Sequence, residues 1–354
     1  MTPTVCCTSI FMSNDLKPKK IRNPLAFSYC VAALVFLAVF VLSIRLGSVK
    51  MSFSEFFGGL FLSDEFVTEG IIIYHVRMPR VLAAMLAGVG LSLSGTLLQA
   101  VTDNELAAPS IIGINSGAGL GAIVCLSFLP SVGGYFGNAL LQIFSFLFAF
   151  MTTILVIILS ERAGRGRASI ILAGVAVNAV FNAAISLISL IDTDVLASYN
   201  SFSIGGFAAV EYGELIIPAI IISVCFALSL ALHRQINLLS LGGGCAHVLG
   251  VNVRLLRIIS VTLASALAAA AVSFSGLIGF VGLVAPHIAK RLVGSHFLRS
   301  ATMSALVGAI VTTLADLIGR IVIPPTEIPV GIMMAAIGAP FFIILLCKRR
   351  GEYL

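Results

Sequence analysis

No glycine precedes a lysine anywhere in the 354 residues. The chain therefore lacks a G-x-x-x-x-G-K-[ST] phosphate loop and does not hydrolyse ATP itself. H-E-x-x-H and G-x-S-x-G are also absent, which sets aside the zinc-peptidase and serine-hydrolase arrangements those motifs mark. Seven cysteines are scattered without a C-x-x-C, so they read as small buried hydrophobes rather than a metal or disulfide framework. Charge is scarce. Only 10% of residues are charged and 59% are hydrophobic, where a soluble chain carries about 25% charged.

What is present is long apolar runs, several beyond the roughly 18 residues that mark a membrane span. Ten spans are predicted, near 24–46, 80–102, 108–128, 139–160, 169–191, 213–233, 257–275, 277–294, 301–322 and 329–347. The fold class is an all-α polytopic membrane protein. Residues 1–22 form a polar tail, 23–350 one transmembrane domain and 351–354 a short end. No small-x-small site follows the first span, which reads as an uncleaved anchor.

Ten spans put both termini on one side, and the charges choose the side. With the N-terminus inside, sixteen of the 21 Lys and Arg are internal; Arg45, Lys50, Arg77, Arg80 and Arg320 are external. This positive-inside bias also accounts for the net charge of +6 without nucleic acid. Outer segment 47–76 alternates apolar and polar residues and reads as a surface helix. Segment 192–212 reads as a short helix with hinges at Gly205 and Gly206. Gly113, Gly117, Gly119, Gly121 and the run Ala264–Ala271 provide small faces for close helix packing. SLSG at 92–95 and SFSG at 273–276 would fit an inverted repeat, and four residues fit chance as well.

Arg77 and Arg80 flank Pro79, which suits a first helical position. Two guanidinium forks projecting from a helix end on the outer side suit either partner carboxylates or lipid phosphates. Projecting side chains are expected to tolerate substitution without loss of folding. Asp316 and Arg320, four apart on one helix face, suit an internal ion pair. His287 follows Pro286 near an inner helix end. No other histidine stands at ligand spacing to it, so a structural or interfacial role is preferred to metal binding or proton transfer. Glu327, just before Pro329, reads as a helix cap, with a place on the pathway as the alternative.

The stretch Phe280-Val281-Gly282-Leu283-Val284-Ala285-Pro286-His287, with Asp316, Arg320, Glu327-Ile328-Pro329-Val330-Gly331 and Gly338-Ala339-Pro340, resembles the FecCD family. These are permease subunits of bacterial ATP-binding-cassette importers for iron–siderophore, haem and cobalamin complexes. Arg77, Arg80, Gly95, Gln99 and Asn104-x-Leu106-Ala107-x-Pro109-x-x-x-Gly113 match its first signature. The resemblance implies that Arg77, Arg80 and Arg320 meet glutamates of a periplasmic or lipid-anchored substrate-binding protein. It also implies that loop 236–257 is two short helices seated on an ATPase subunit, with Leu241, Gly242, Ala246, Leu249, Gly250 and Val251 matching. The chain departs from the pattern at Gly243-Gly244, where two acids are usual, and at Glu105, where proline is usual.

The resemblance therefore implies an inner-membrane permease, a type II importer subunit, with both termini cytoplasmic. It would pair with a second copy or paralogue, two ATPase subunits and one binding protein. No cofactor is bound directly, and ATP is used by the partner subunit. A ferric siderophore is the implied substrate, with haem or cobalamin as runners-up. From another class, an ion-coupled secondary transporter would use Asp316 as its membrane-embedded acid.

Overall fold

The computed structural model describes residues 25–47, 49, 51–61, 63–129, 134–163, 167–240 and 242–350. The tails 1–22 and 351–354, Lys50, Arg165 and Leu241 lie outside them. Among the described residues there is no strand. The helices are α1 (Leu25–Arg45), α2 (Phe53–Leu60), α3 (Val67–Ile71), α4 (Met78–Thr102), α5 (Ile114–Phe128), α6 (Gly134–Arg162), α7 (Arg167–Ile191) and α8 (Thr193–Ile204). They continue as α9 (Tyr212–Ala231), α10 (His233–Leu239), α11 (Gly243–Val248), α12 (Val253–Ser275), α13 (Val281–Val293), α14 (Phe297–Ile321) and α15 (Val330–Arg350).

Each predicted span contains a helix: α1, α4, α5, α6, α7, α9, α12, α13, α14 and α15. Seven helices are long and apolar enough to cross a membrane, and Ile114–Phe128 and Val330–Ile344 are shorter apolar helices. The centre is α4 packed against α12 and α14. In these, 83%, 61% and 72% of the most apolar window is buried, against 11% in α1 and 22% in α7. Burial follows side-chain size. Ala264, Ala268, Ala269 and Ala271 of α12 are fully buried, and Ser94 of α4 donates to the Ala264 carbonyl at 2.6 Å. Helices α1, α7 and α9 keep bulky apolar side chains exposed, as helices that face lipid or a partner helix do.

The outer segment differs from its sequence reading. Only α2 is a separate short helix, started by a capping box between Ser52 and Glu55. From Val67 the chain is helical through a π-helical stretch, Ile72–Arg77, straight into α4. Pro79 therefore stands inside a continuous helix and does not open one. Its missing N–H disturbs the hydrogen-bond ladder. The Tyr74 carbonyl in the π stretch accepts instead from the Tyr212 hydroxyl at 2.6 Å.

The α4–α5 turn closes without the usual proline. Asp103 adopts φ +49°, and Asn104 Oδ1 accepts from the Leu106 N–H at 3.0 Å, an Asx turn. Pro109 then opens a short 3-10 turn that ends at Gly113, φ +94°. The outer segment 192–212 forms α8, capped by Asp192. Gly205 is less a hinge than a contact, since it packs on Leu277 and Ile278. Leu277 N–H donates to the Phe202 carbonyl at 3.2 Å, so the non-helical turn before α13 is covered by protein, as membrane depth requires.

One expectation fails. Cys125 and Cys225 are buried, but Cys30, Cys245 and Cys347 are exposed; apolar sequence around a cysteine does not distinguish core from lipid contact. The SLSG and SFSG segments sit differently in their helices. Gly95 sits inside α4, whereas Gly276 ends α12 at φ +68°.

Candidate functional site

At the end of the bundle where α4 begins, the three arginines are not projecting forks. Arg77, Arg80 and Arg320 are 4%, 7% and 2% exposed. Arg77 donates to the carbonyls of Ile44, Arg45 and Val49, tying α4 to the end of α1. Arg80 presents Nε and Nη2 to Asp316 Oδ1 at 3.0 and 2.9 Å, and Nη1 to Glu327 Oε2 at 2.5 Å. Arg320 lies 3.1 Å from Asp316 Oδ2 and donates to the Ser43 carbonyl. The internal ion pair read from the Asp316–Arg320 spacing is present, and a second arginine shares the carboxylate. The expectation of substitution-tolerant projecting groups is overturned: unpaired charges this deep would be costly. Glu327, read as a cap, turns its carboxylate to Arg80, and its side chain is 28% exposed. Pro329 ends the non-helical approach to α15.

In the middle of the molecule one carbonyl organises several matched residues. Pro286 lies inside α13 and brings no N–H to the carbonyl four residues back, that of Gly282. This carbonyl points at Gly95, where any Cβ would collide with it. Gln99, one turn further along α4, approaches it with Nε2 at 3.5 Å and accepts from Lys290 Nζ at 2.9 Å. Pro109 packs on the other side of Gly282. Proline, two glycines, glutamine and lysine thus form one join between α4 and α13. His287 contributes packing, its ring edge-on to Phe341 at 5.8 Å between centroids. Among the described residues no group of His, Cys, Asp or Glu is placed to hold a metal ion.

The inner loop is two short helices, α10 and α11, joined through Gly242 at φ +103°. With Gly243 and Gly244 in place of acids, α11 starts without a side-chain cap. Ala246 is fully buried, and its carbonyl accepts from the Val251 N–H at 3.0 Å. Gly250, φ +83°, turns the chain. Val248 and Leu249 are left 86% and 58% exposed, an apolar knob at the end of α11.

Sequence reasoning missed Asn237. Its Oδ1 accepts from the Phe297 N–H at 2.8 Å, and its Nδ2 lies 3.1 Å from His296 Nε2, which fastens α10 to the start of α14. It also missed Glu214, buried at 7% exposure and bonded to Asn138. Glu211 and Glu214 form a capping box at the start of α9.

Residues 34–348 match the FecCD transport family. The chain is 34% identical over 330 residues to the iron(3+)-hydroxamate import system permease protein FhuG of Bacillus subtilis, covering 90% of this chain and 96% of that one. It is 38% identical over 326 residues to the achromobactin transport system permease protein CbrC of Dickeya dadantii, covering 90% and 91%. It is 33% identical over 322 residues to the hemin transport system permease protein HmuU of Yersinia pestis, covering 90% and 96%. Among solved structures, an inward-facing metal-chelate type ABC transporter overlays with a TM-score of 0.80 at 32% identity, covering 90% of this chain and 98% of that one. Sequence and fold agree over nearly the whole length: the chain belongs to the FecCD transport family.

Proposed function

We propose that the chain is the membrane-spanning subunit of an ATP-binding-cassette importer that moves a ferric siderophore across the cytoplasmic membrane. The observation that carries this reading is near-complete coverage by relatives named for hydroxamate, achromobactin and hemin transport. The chain itself performs no catalysis. A separate ATPase would seat on α10 and α11, with the Val248–Leu249 knob as its apolar anchor. A second copy or paralogue would complete the pathway, with both termini cytoplasmic. Lys290, Arg291 and Arg299 at the α13–α14 end agree with that orientation.

A substrate-binding protein would dock on the outer face above Arg80. Glu327 already occupies one edge of the Arg80 fork and is partly exposed, so an incoming carboxylate competes with it. Glu327→Gln should therefore tighten docking several-fold and leave it salt-sensitive, since exposed charges are screened over about 8–10 Å. Affinity of the assembled transporter for its binding protein, measured across salt, checks this; an unchanged value would remove Arg80 from docking.

The secondary-transporter reading gains nothing from Asp316, whose carboxylate is held by two arginines and is not open to a coupling ion. The decisive experiment is uptake by a deletion strain of labelled ferric siderophores, haem and cobalamin. Loss of ferric siderophore uptake alone is expected. Loss of haem or cobalamin uptake instead would reassign the substrate, and dependence on a proton or sodium gradient with no ATPase requirement would overturn the class.

A further inference from the structure

A cavity of about 220 Å³ lies between α6, α9 and α12. Its walls are mostly apolar, with Phe146 and Leu147 from α6, Ile217 and Ile221 from α9 and Ala270 from α12, and Gln142 and Ser273 as neutral polar groups. It is smaller than the roughly 300–1,000 Å³ of sites for drug-sized ligands, and suits one hydrocarbon chain. Leu147 and Ile217 are 49% and 66% exposed, so the cavity opens sideways, as a groove, where lipid lies.

One end of this groove is charged. Glu214 of α9 lines it at 7% exposure. Asn138 Nδ2 donates to its Oε1 at 2.8 Å, and the Glu211 N–H to its Oε2 at 3.4 Å. Both partners are neutral. Among the described residues no Lys, Arg or His pairs with Glu214, in contrast to Asp316, which has two arginines. Pro218, also in the lining, brings no N–H to the Glu214 carbonyl four residues back, which leaves a second acceptor without its helical donor. A carboxylate buried against apolar walls without a cation is costly, and a cation that enters with its own apolar tail offsets that cost. The depth fits such an occupant. Tyr212, two residues earlier, is half-exposed at the outer end of α9, where tyrosines mark the head-group level of a membrane.

We propose that this groove binds one acyl chain of a membrane lipid whose head group carries a primary ammonium, with the ammonium donating to the Glu214 carboxylate. The proposal rests on the membrane setting alone and stands or falls apart from the transported substrate.

The test is native mass spectrometry of the purified full-length chain after exchange into detergent with equal amounts of phosphatidylethanolamine, phosphatidylcholine and phosphatidylglycerol. The ethanolamine lipid should be retained about tenfold or more over the other two, as a charge-assisted hydrogen bond implies. Choline carries the charge without an N–H, and glycerol carries neither. Glu214→Gln should level the three lipids. Ile217→Trp, which fills the groove and keeps the carboxylate, should lower retention of the ethanolamine lipid and decides the matter if Glu214→Gln does not fold. Equal retention of the three by the wild type, or a preference that survives either substitution in a folded variant, overturns the proposal.

Discussion

Asp316→Ala is expected to cost the protein about 3–5 kcal/mol, the usual result of removing one partner from a buried ion pair. Two guanidinium groups depend on this carboxylate. Without it Arg80 keeps only Glu327, and Arg320 keeps backbone carbonyls. Arg320 Nη2 already lacks a hydrogen-bond partner among the described residues, so the site has little reserve. The measurement is thermal unfolding of the purified protein in detergent together with its level in the membrane. Asp316→Asn, which keeps shape and one acceptor, should fall between wild type and Ala. Wild-type stability in Asp316→Ala would mean that water or lipid phosphate satisfies both arginines, and the buried cluster would lose its role in holding α4 to α14. The same geometry changes the meaning of a charge reversal at Arg80. A glutamate there would face Asp316 and Glu327, so loss of docking could not be separated from loss of fold.

Leu249→Asp should abolish coupled transport while leaving the protein in the membrane at its normal level. The knob side chains Val248 and Leu249 are exposed, whereas Ala246 beneath them carries the packing, so a surface carboxylate at 249 disturbs little inside the chain. In an apolar contact with an ATPase groove it would be an uncompensated buried charge. A charge left buried and unpaired at an interface costs about 2 kcal/mol or more, about thirtyfold in affinity. Binding-protein-stimulated ATPase activity of the reconstituted complex is the readout. Full stimulation in the variant would show that α11 is not the contact.

The spans were legible because their signals are local: apolar length, and lysine and arginine on one side; the paired inner helices followed only from the likeness of loop 236–257 to the family's. The partners of Arg80 were not, although the Asp316–Arg320 pair was. Asp316 and Glu327 lie 236 and 247 residues from Arg80, and no periodicity links such positions. Arg77 was harder still, because its partners are main-chain carbonyls that leave no mark in a sequence. The helix start at Val67 was hidden by Glu69 and Gly70, which break the apolar pattern. Matching Gly95, Gln99 and Pro286 to a family named residues that matter, but not their common cause, the Gly282 carbonyl left free by Pro286.

That carbonyl also limits how the helices can travel. A slide of α13 along α4 by one turn would lift it out of the recess at Gly95 and set it against Leu91 or Leu98, both buried, in an interior too densely packed to absorb the change. It would also part Lys290 from Gln99. Relative sliding is closed to this pair, while tilting in common is not.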